Sequence, residues 1–367
     1  MSKPGVSIVI CCHNGANRLP QTIRHIAQQE VADHIPWEVI IVDNRSSDRS
    51  ALIARSEWSR FNCTARFRIV LEYALGLSHA RARGMREAQY EYVVMCDDDN
   101  WLAPDYVEKV YHIMIKKPRI GALGGLGRLV FEVPPPSYIE YSNIFAAGEQ
   151  SPMSGKVREN KVYGAGCVLR KSAYDRLYKL GFQSLLTDRK GKELSSGGDY
   201  ELCYALAISG YDIWYDDRLR FTHFITRDRL TWEYYIRYAR ESAQCFEVLG
   251  CYKAVADSSA LNKISFIYIT RSFVYTVRRF LRVNAERLVA PHDTDRSKIL
   301  FFRHTILRYK LFTYLARYGH MIRIHNQILK LRERCSTDPV QLNAEPESIL
   351  AGQFGITSFS KPFRQLQ

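Results

Sequence analysis

Short apolar runs alternate with longer mixed stretches through about the first 135 residues, the pattern of strands alternating with helices in a parallel α/β sheet. The run VSIVICC (6–12) reads as a first strand and 18–29 as a helix. WEVIIVDN (37–44) reads as a second strand, with Ser47 and Asp48 at the N-cap of the helix that follows. RFRIVLEY (66–73) is a third strand, LSHARARGMREA (77–88) a helix, and YEYVVMCDD a fourth strand. Pro104 then stands where a further helix begins. Strands that are apolar throughout imply helices on both faces of the sheet.

The texture changes from Gly121. GALGGLGRLVFEV resembles a dinucleotide-binding loop only superficially, because it leads into a strand rather than from strand into helix. Residues 134–160, rich in Pro, Ser and Gly, read as a long loop. Residues 162–177 return to strand and helix, and another helix opens at about Asp199. Beyond Thr231 the chain is aromatic and basic with helical periodicity to about Arg334, broken by APHDTD at 290–295; the last 30 or so residues read as loop. This divides the chain into an α/β domain over 1–240, a basic aromatic helical region over 241–335 and a tail over 336–367.

Charge sharpens the division. Of the net charge of +14, residues 251–367 carry most, with 19 Lys and Arg against 8 Asp and Glu. A polyanionic partner is therefore called for only at the helical region. The nine cysteines show no CxxC pair, so neither a disulfide framework nor a zinc site is indicated. No run approaches the length of a membrane span, and the N-terminus lacks a small-residue cleavage site. A cytoplasmic chain is expected, with a possible contact at the cytoplasmic face of the membrane.

The chemistry concentrates at predicted strand ends, where open α/β sheets bind ligands. His13-Asn14, Asp43-Asn44 and the Asp97–Asp99 triplet fall there, with Gly164-Ala165-Gly166 nearby. Each has a plain alternative: turn formers for Asp43-Asn44, a loop histidine for His13, a solvated turn for the triplet. Three adjacent carboxylates repel one another by roughly a kcal/mol or more per pair. If the backbone stays extended there, Asp97 and Asp99 point to one side, an arrangement suited to Mg²⁺ or Mn²⁺ and, through it, a diphosphate.

In order and spacing, VSIVICCHN, EVIIVDNRSSD, GLSHARARG, CDDDNWLAPDYV, GAGCVLRKSAYDRL and GGDYELCYAL resemble the motifs of family 2 glycosyltransferases over about residues 5–240. The resemblance implies a GT-A fold: a Rossmann-like, mostly parallel sheet flanked by helices, here with a C-terminal helical appendage. It also implies inverting, metal-dependent transfer from a nucleotide-diphospho-sugar. On that resemblance His13 and Asn14 lie beside the nucleotide, Asp43 binds the base with Asn44 next to it, and Arg81 approaches the base or diphosphate. Asp97 faces the ribose, Asp98 joins it on the donor side, and Asp99 is the direct metal ligand, with Asp97 and His223 also toward the metal. Gly164, Ala165 and Gly166 line the donor sugar and acceptor site, and Asp199 matches the catalytic base. Arg237 or Arg240 would reach the phosphates. One departure stands out: members commonly read Gly-Glu-Asp where this chain has Gly197-Gly198-Asp199, which puts acceptor orientation in question.

The implied acceptor is a hydroxyl of a saccharide or lipid-linked saccharide, as in cell-surface polysaccharide assembly. Alternatives remain: a nucleotide-sugar-binding protein without turnover, Asp199 as a helix N-cap, and His223 as a packed histidine beside Phe221 and Phe224. Nucleic-acid binding is disfavoured, since no such motif accompanies the basic region and its aromatics fall at core spacing. Within that region Phe266, Phe273, Val277 and Phe280 follow helical spacing. Arg296, Arg303, Lys310 and Arg317 recur every seven residues, forming one stripe if their helix is unbroken. The region is expected to be a packed appendage or a contact with anionic membrane.

Overall fold

The computed structural model describes residues 2–138, 144–191, 193–257 and 265–340. The chain runs β1 (Lys3–Cys12), α1 (Leu19–Ala27), β2 (Trp37–Asp43), α2 (Ser50–Trp58), β3 (Arg66–Leu71), α3 (Leu77–Glu87), β4 (Tyr90–Asp97) and β5 (Asn100–Leu102). It continues α4 (Tyr106–Lys116), β6 (Ile120–Phe131), β7 (Gly155–Lys156), β8 (Cys167–Arg170), α5 (Lys171–Lys179), α6 (Gly198–Ile208) and β9 (Asp212–Ile225). The helices α7 (Trp232–Ser242), α8 (Phe246–Asp257), α9 (Ser265–Val289), α10 (Asp295–Ala316) and α11 (Tyr318–Thr337) complete it. The tail from 341 on, part of the expected 134–160 loop and the side chain of Phe266 lie outside the described residues.

The strands form one sheet in the order β3-β2-β1-β4-β8-β6-β9-β5, with β7 paired to β9. The first four are parallel, β6 and β9 are parallel, and β8 runs antiparallel between β4 and β6. In β1 the buried Ile8, Ile10 and Cys12 face the layer built by α1 and α4, and Val9 faces α3, so both surfaces of the strand are covered. Parallel register brings Cys12 beside Asp43 and Cys11 beside Asp97, which gathers the polar strand ends along one edge.

The sequence pattern does not announce β9. Its DIWYDDRLRFTHFI carries charges mid-strand, and the register against β6 slips between Gly124–Tyr215 and Leu126–Arg220, leaving Asp216, Asp217 and Arg218 in an irregularity. This strand delivers His223, paired across to Asn100 of β5.

The C-terminal helices are built into the same core. Met321, Ile324, Ile328 and Leu331 of α11 join Cys251, Tyr252 and Val255 of α8 in the cluster that holds α6. Phe302 of α10 stacks on Tyr235 of α7 with ring centroids 3.9 Å apart. Each such fully buried side chain stabilises this docking by about 1.5–3 kcal/mol. The seven-residue basic stripe is interrupted: Arg317 ends α10 and pairs with Glu247 at 2.9 Å, while Lys310 turns toward a central cavity. No described helix is long and apolar enough to cross a membrane, and all nine cysteines are free thiols.

Candidate active site

A cavity of about 1290 Å³ opens along the carboxyl edge of the sheet and continues between α6 and the C-terminal helices. His13, Asn44, Arg81, Asp97, Asp98, Asp99, Gly164, Ala165, Asp199 and His223 line it. Asn14, Asp43 and Gly166, expected at the site, are not among its lining residues.

The loops after β1 and β2 are tied to each other. His13 donates from Nδ1 to the Asn44 carbonyl at 2.8 Å, and Oδ1 of Asn14 accepts from the Ser47 N–H at 2.8 Å. Asp43 folds its own turn by accepting from the Ser46 N–H at 2.9 Å. Asn44 donates to the carbonyls of Glu72 and Ala74 and accepts from the Gly76 N–H. Its amide thus clamps the loop before α3.

The triplet divides three ways, because the extended backbone ends at Asp97 and turns at Asp98 and Asp99. The conditional expectation of Asp97 and Asp99 side by side on one extended strand therefore does not apply. Asp98 makes a bidentate pair with Arg18, at 2.9 and 2.7 Å, beneath the β1 loop. Burial pushes its carboxyl up despite that pairing. Asp97 lies in the field of Arg81. Asp99 faces His223, whose Nε2 is 3.3 Å from Oδ1, and Arg229, whose Nη1 is 3.0 Å from Oδ2. Burial alone would raise the Asp99 carboxyl, but His223, Arg229 and Arg18 together hold it well below the usual range.

His223 donates from Nδ1 to the Phe145 carbonyl at 2.6 Å, which turns its Nε2 toward a carboxylate oxygen of Asp99. A proton on Nε2 bridges the two groups, and a divalent cation could take its place. Asp99 and His223 are the residues here that could hold a divalent cation. Among the described residues no three His, Cys, Asp or Glu side chains converge on one point, so further ligands would come from diphosphate and water.

On the opposite wall, Asp199 sits in the first turn of α6 behind Gly197, the cap residue, which adopts a positive φ of 110°. Its Oδ2 accepts from the Gly164 N–H at 2.7 Å and its Oδ1 from the Tyr200 N–H at 2.9 Å. A side chain at Gly164 would press on both Arg81 and Asp199, which accounts for glycine there. Burial and the nearby Asp188 raise the Asp199 carboxyl, against Arg81.

Two residues were not legible in the sequence. Asp188, held at a φ of 53°, accepts from Arg81 Nη1 at 2.7 Å and from the Gly198 N–H at 2.7 Å. It stands where a glutamate at position 198 would project. Only the paired absence of that glutamate and presence of an aspartate in a preceding loop could have hinted at it. Arg229 follows β9 in a short 3-10 turn and reaches Asp99, whereas Arg237 leans toward Glu241. Its sequence signal was an Arg-Asp-Arg run just after His223.

An acidic triplet at the carboxyl edge of such a sheet, faced across one cavity by a carboxylate at a helix start, defines a GT-A fold. Residues 7–147 match the model of glycosyl transferase family 2. Among curated relatives, poly-beta-1,6-N-acetyl-D-glucosamine synthase of Staphylococcus epidermidis is 25% identical over 228 residues, covering 58% of this chain and 48% of that one. Cholesterol galactosyltransferase of Borreliella burgdorferi is 32% identical over 107 residues, covering 29% and 28%. The chain spans less than half the length of these relatives. The mannosyltransferase PcManGT of Pyrobaculum calidifontis, solved with GDP-Man and Mn²⁺, superposes with a TM-score of 0.53 over 91% of this chain and 86% of that one, at 17% identity. That likeness speaks to the fold.

Proposed function

We propose that the protein is an inverting glycosyltransferase that moves a sugar from a nucleotide-diphospho-sugar to a hydroxyl of a saccharide or lipid-linked saccharide, assisted by Mg²⁺ or Mn²⁺. The observation that carries this reading is Asp199, hydrogen-bonded to Gly164 across the cavity from Asp97 and Asp99. Asp199 accepts the proton of the acceptor hydroxyl as the new bond to the anomeric carbon forms and the bond to the diphosphate breaks, a contribution of about 10²–10⁴-fold. The strand-end loops that carry His13 and Asp97 hold the nucleoside. Arg81 and Arg229 supply positive charge on the diphosphate side of the cavity. A divalent cation bound by Asp99 and His223 would offset the charge that grows on the departing diphosphate. The relatives' names, which include an N-acetylglucosamine polymer synthase, support cell-surface polysaccharide assembly as the setting.

The reading of a binding protein without turnover rested on the missing glutamate at 198, and the Asp188 carboxylate fills that space. A membrane contact has its own support. Ile267, Val274, Leu281 and Leu288 form an exposed apolar row on α9 at seven-residue spacing, with Arg278 and Arg282 beside it. Such a face suits an anionic lipid surface. Incubation with a panel of nucleotide sugars, with and without Mn²⁺, tests the activity. Consumption of one donor that Asp199→Asn reduces by orders of magnitude supports it, and consumption of none by the wild type overturns it.

A further inference from the structure

The cavity is larger than a nucleotide sugar requires. Sites for ligands of that size occupy about 300–1,000 Å³, and here the 1290 Å³ extends past Asp199 into a lobe walled by α8, α9 and α10. Besides Lys253 of α8, three cations line this lobe: Arg271 and Arg279 on α9, and Lys310 on α10. Two turns apart, Arg271 and Arg279 share one face of their helix with Tyr275 between them.

None of the three has a carboxylate within ion-pair distance among the described residues, unlike the cations around them. Lys253, on the same wall, pairs with Asp257 at 3.1 Å, and Glu247 of α8 is taken by Arg317. Lys310 instead lies over the Phe246 ring at 5.4 Å, and Arg279 over Tyr275 at 5.7 Å. Burial and the charge of Arg279 disfavour the Lys310 ammonium. Cys245 beside it is neutral, its thiol pushed up to about 12 by burial. Arg279 and Lys310, which repel each other, and Arg271 on the same cavity wall are held without a carboxylate partner and form a preorganised anion site.

We infer that this lobe binds a phosphate group of the acceptor. A singly charged carboxylate leaves most of the positive charge uncompensated. A phosphate or diphosphate carries more charge and enough oxygens to meet the Arg279 fork and the Lys310 ammonium together, with Arg271 on the same cavity wall. The exposed ring of Tyr275 offers a stacking face for an adjacent sugar ring. The assignment of the phosphate to an acceptor rests on the glycosyltransferase reading; the binding itself does not. Two sources share this chemistry, a phosphodiester-linked glycan and the diphosphate of a lipid carrier.

The test is isothermal titration calorimetry of the full chain in chelator, with a short glycerol-phosphate oligomer, farnesyl diphosphate and neutral maltotriose as probes. The wild type is expected to bind a phosphorylated probe at least tenfold more tightly than maltotriose, and Arg279→Gln/Lys310→Gln to lose at least tenfold of that affinity. Preference for the oligomer assigns a glycan source, and preference for farnesyl diphosphate a lipid source. Equal binding of all three probes, or undiminished binding by the variant, overturns the proposal. Should the double variant lose its folded circular-dichroism spectrum, Arg279→Gln alone, on an exposed helix face, must weaken the phosphorylated probe at least threefold. Failure of the transferase reading would register separately, as no consumption of any nucleotide sugar by the wild type.

Discussion

The Asp188 carboxylate occupies the volume into which a side chain at Gly198 would project: a Cβ there would collide with Asp188 Oδ2. The two positions therefore share one carboxylate between them. Gly198→Glu alone should lower turnover more than 100-fold by displacing Asp188 from Arg81. Adding Asp188→Gly, which also suits the positive φ at 188, should recover at least tenfold. Steady-state kinetics of the single and double variants check this, and a double variant no better than Gly198→Glu speaks against the substitution of one carboxylate for the other.

The same aspartate sets a pH dependence. Burial and then the Asp188 charge raise the Asp199 carboxyl above the ordinary range, so the acid limb of kcat/KM should lie above that of a free aspartate. Asp188→Asn removes a negative neighbour, makes Asp199 easier to ionise and should move the limb to lower pH. A pH–rate profile that does not shift, or shifts upward, contradicts the coupling.

At the metal side, Arg229 stands 3.0 Å from one oxygen of Asp99 and 3.5 Å from His223 Nε2, where a cation held by that pair would compete with it. Asp99→Asn and His223→Gln should each weaken Mn²⁺ binding at least tenfold. Arg229→Gln should tighten it severalfold in the absence of donor. Electron paramagnetic resonance titration of free Mn²⁺ reads both directions without turnover.

Asp98 is expected to matter for stability. Its bidentate pair with Arg18 is mostly buried, and removing one partner leaves an uncompensated charge under the β1 loop. Asp98→Ala should cost on the order of 3 kcal/mol in urea unfolding. A loss below about 0.5 kcal/mol would place the pair with ordinary surface bridges.

Membrane contact predicts co-sedimentation with anionic vesicles that weakens with salt and is absent with neutral vesicles. Leu281→Glu/Leu288→Glu, both on exposed positions of α9, should abolish it. Full-length protein that stays in the supernatant at low salt removes the membrane reading.

The first four strands, their helices and the clustering of polar residues at their carboxyl ends were legible because burial on both faces writes continuous apolar runs, and parallel topology forces strand ends together. The strand bearing His223 was not, because its mid-strand charges at Asp216, Asp217 and Arg218 sit in a register slip that local pattern cannot foresee. The division of labour within the triplet also escaped the sequence. A turn after Asp97 sends Asp98 to Arg18 and Asp99 to His223, residues 80 and 124 positions away in sequence. By itself the sequence determined that its polar strand ends meet on one sheet edge, since that follows from local periodicity and parallel topology, while the roles proposed for those residues came from the resemblance of their motifs. Tertiary structure alone decided which carboxylate is paired, that Asp188 fills the space beside Gly198, and that Lys310 and Arg279 line one cavity, because each depends on contacts between elements remote along the chain.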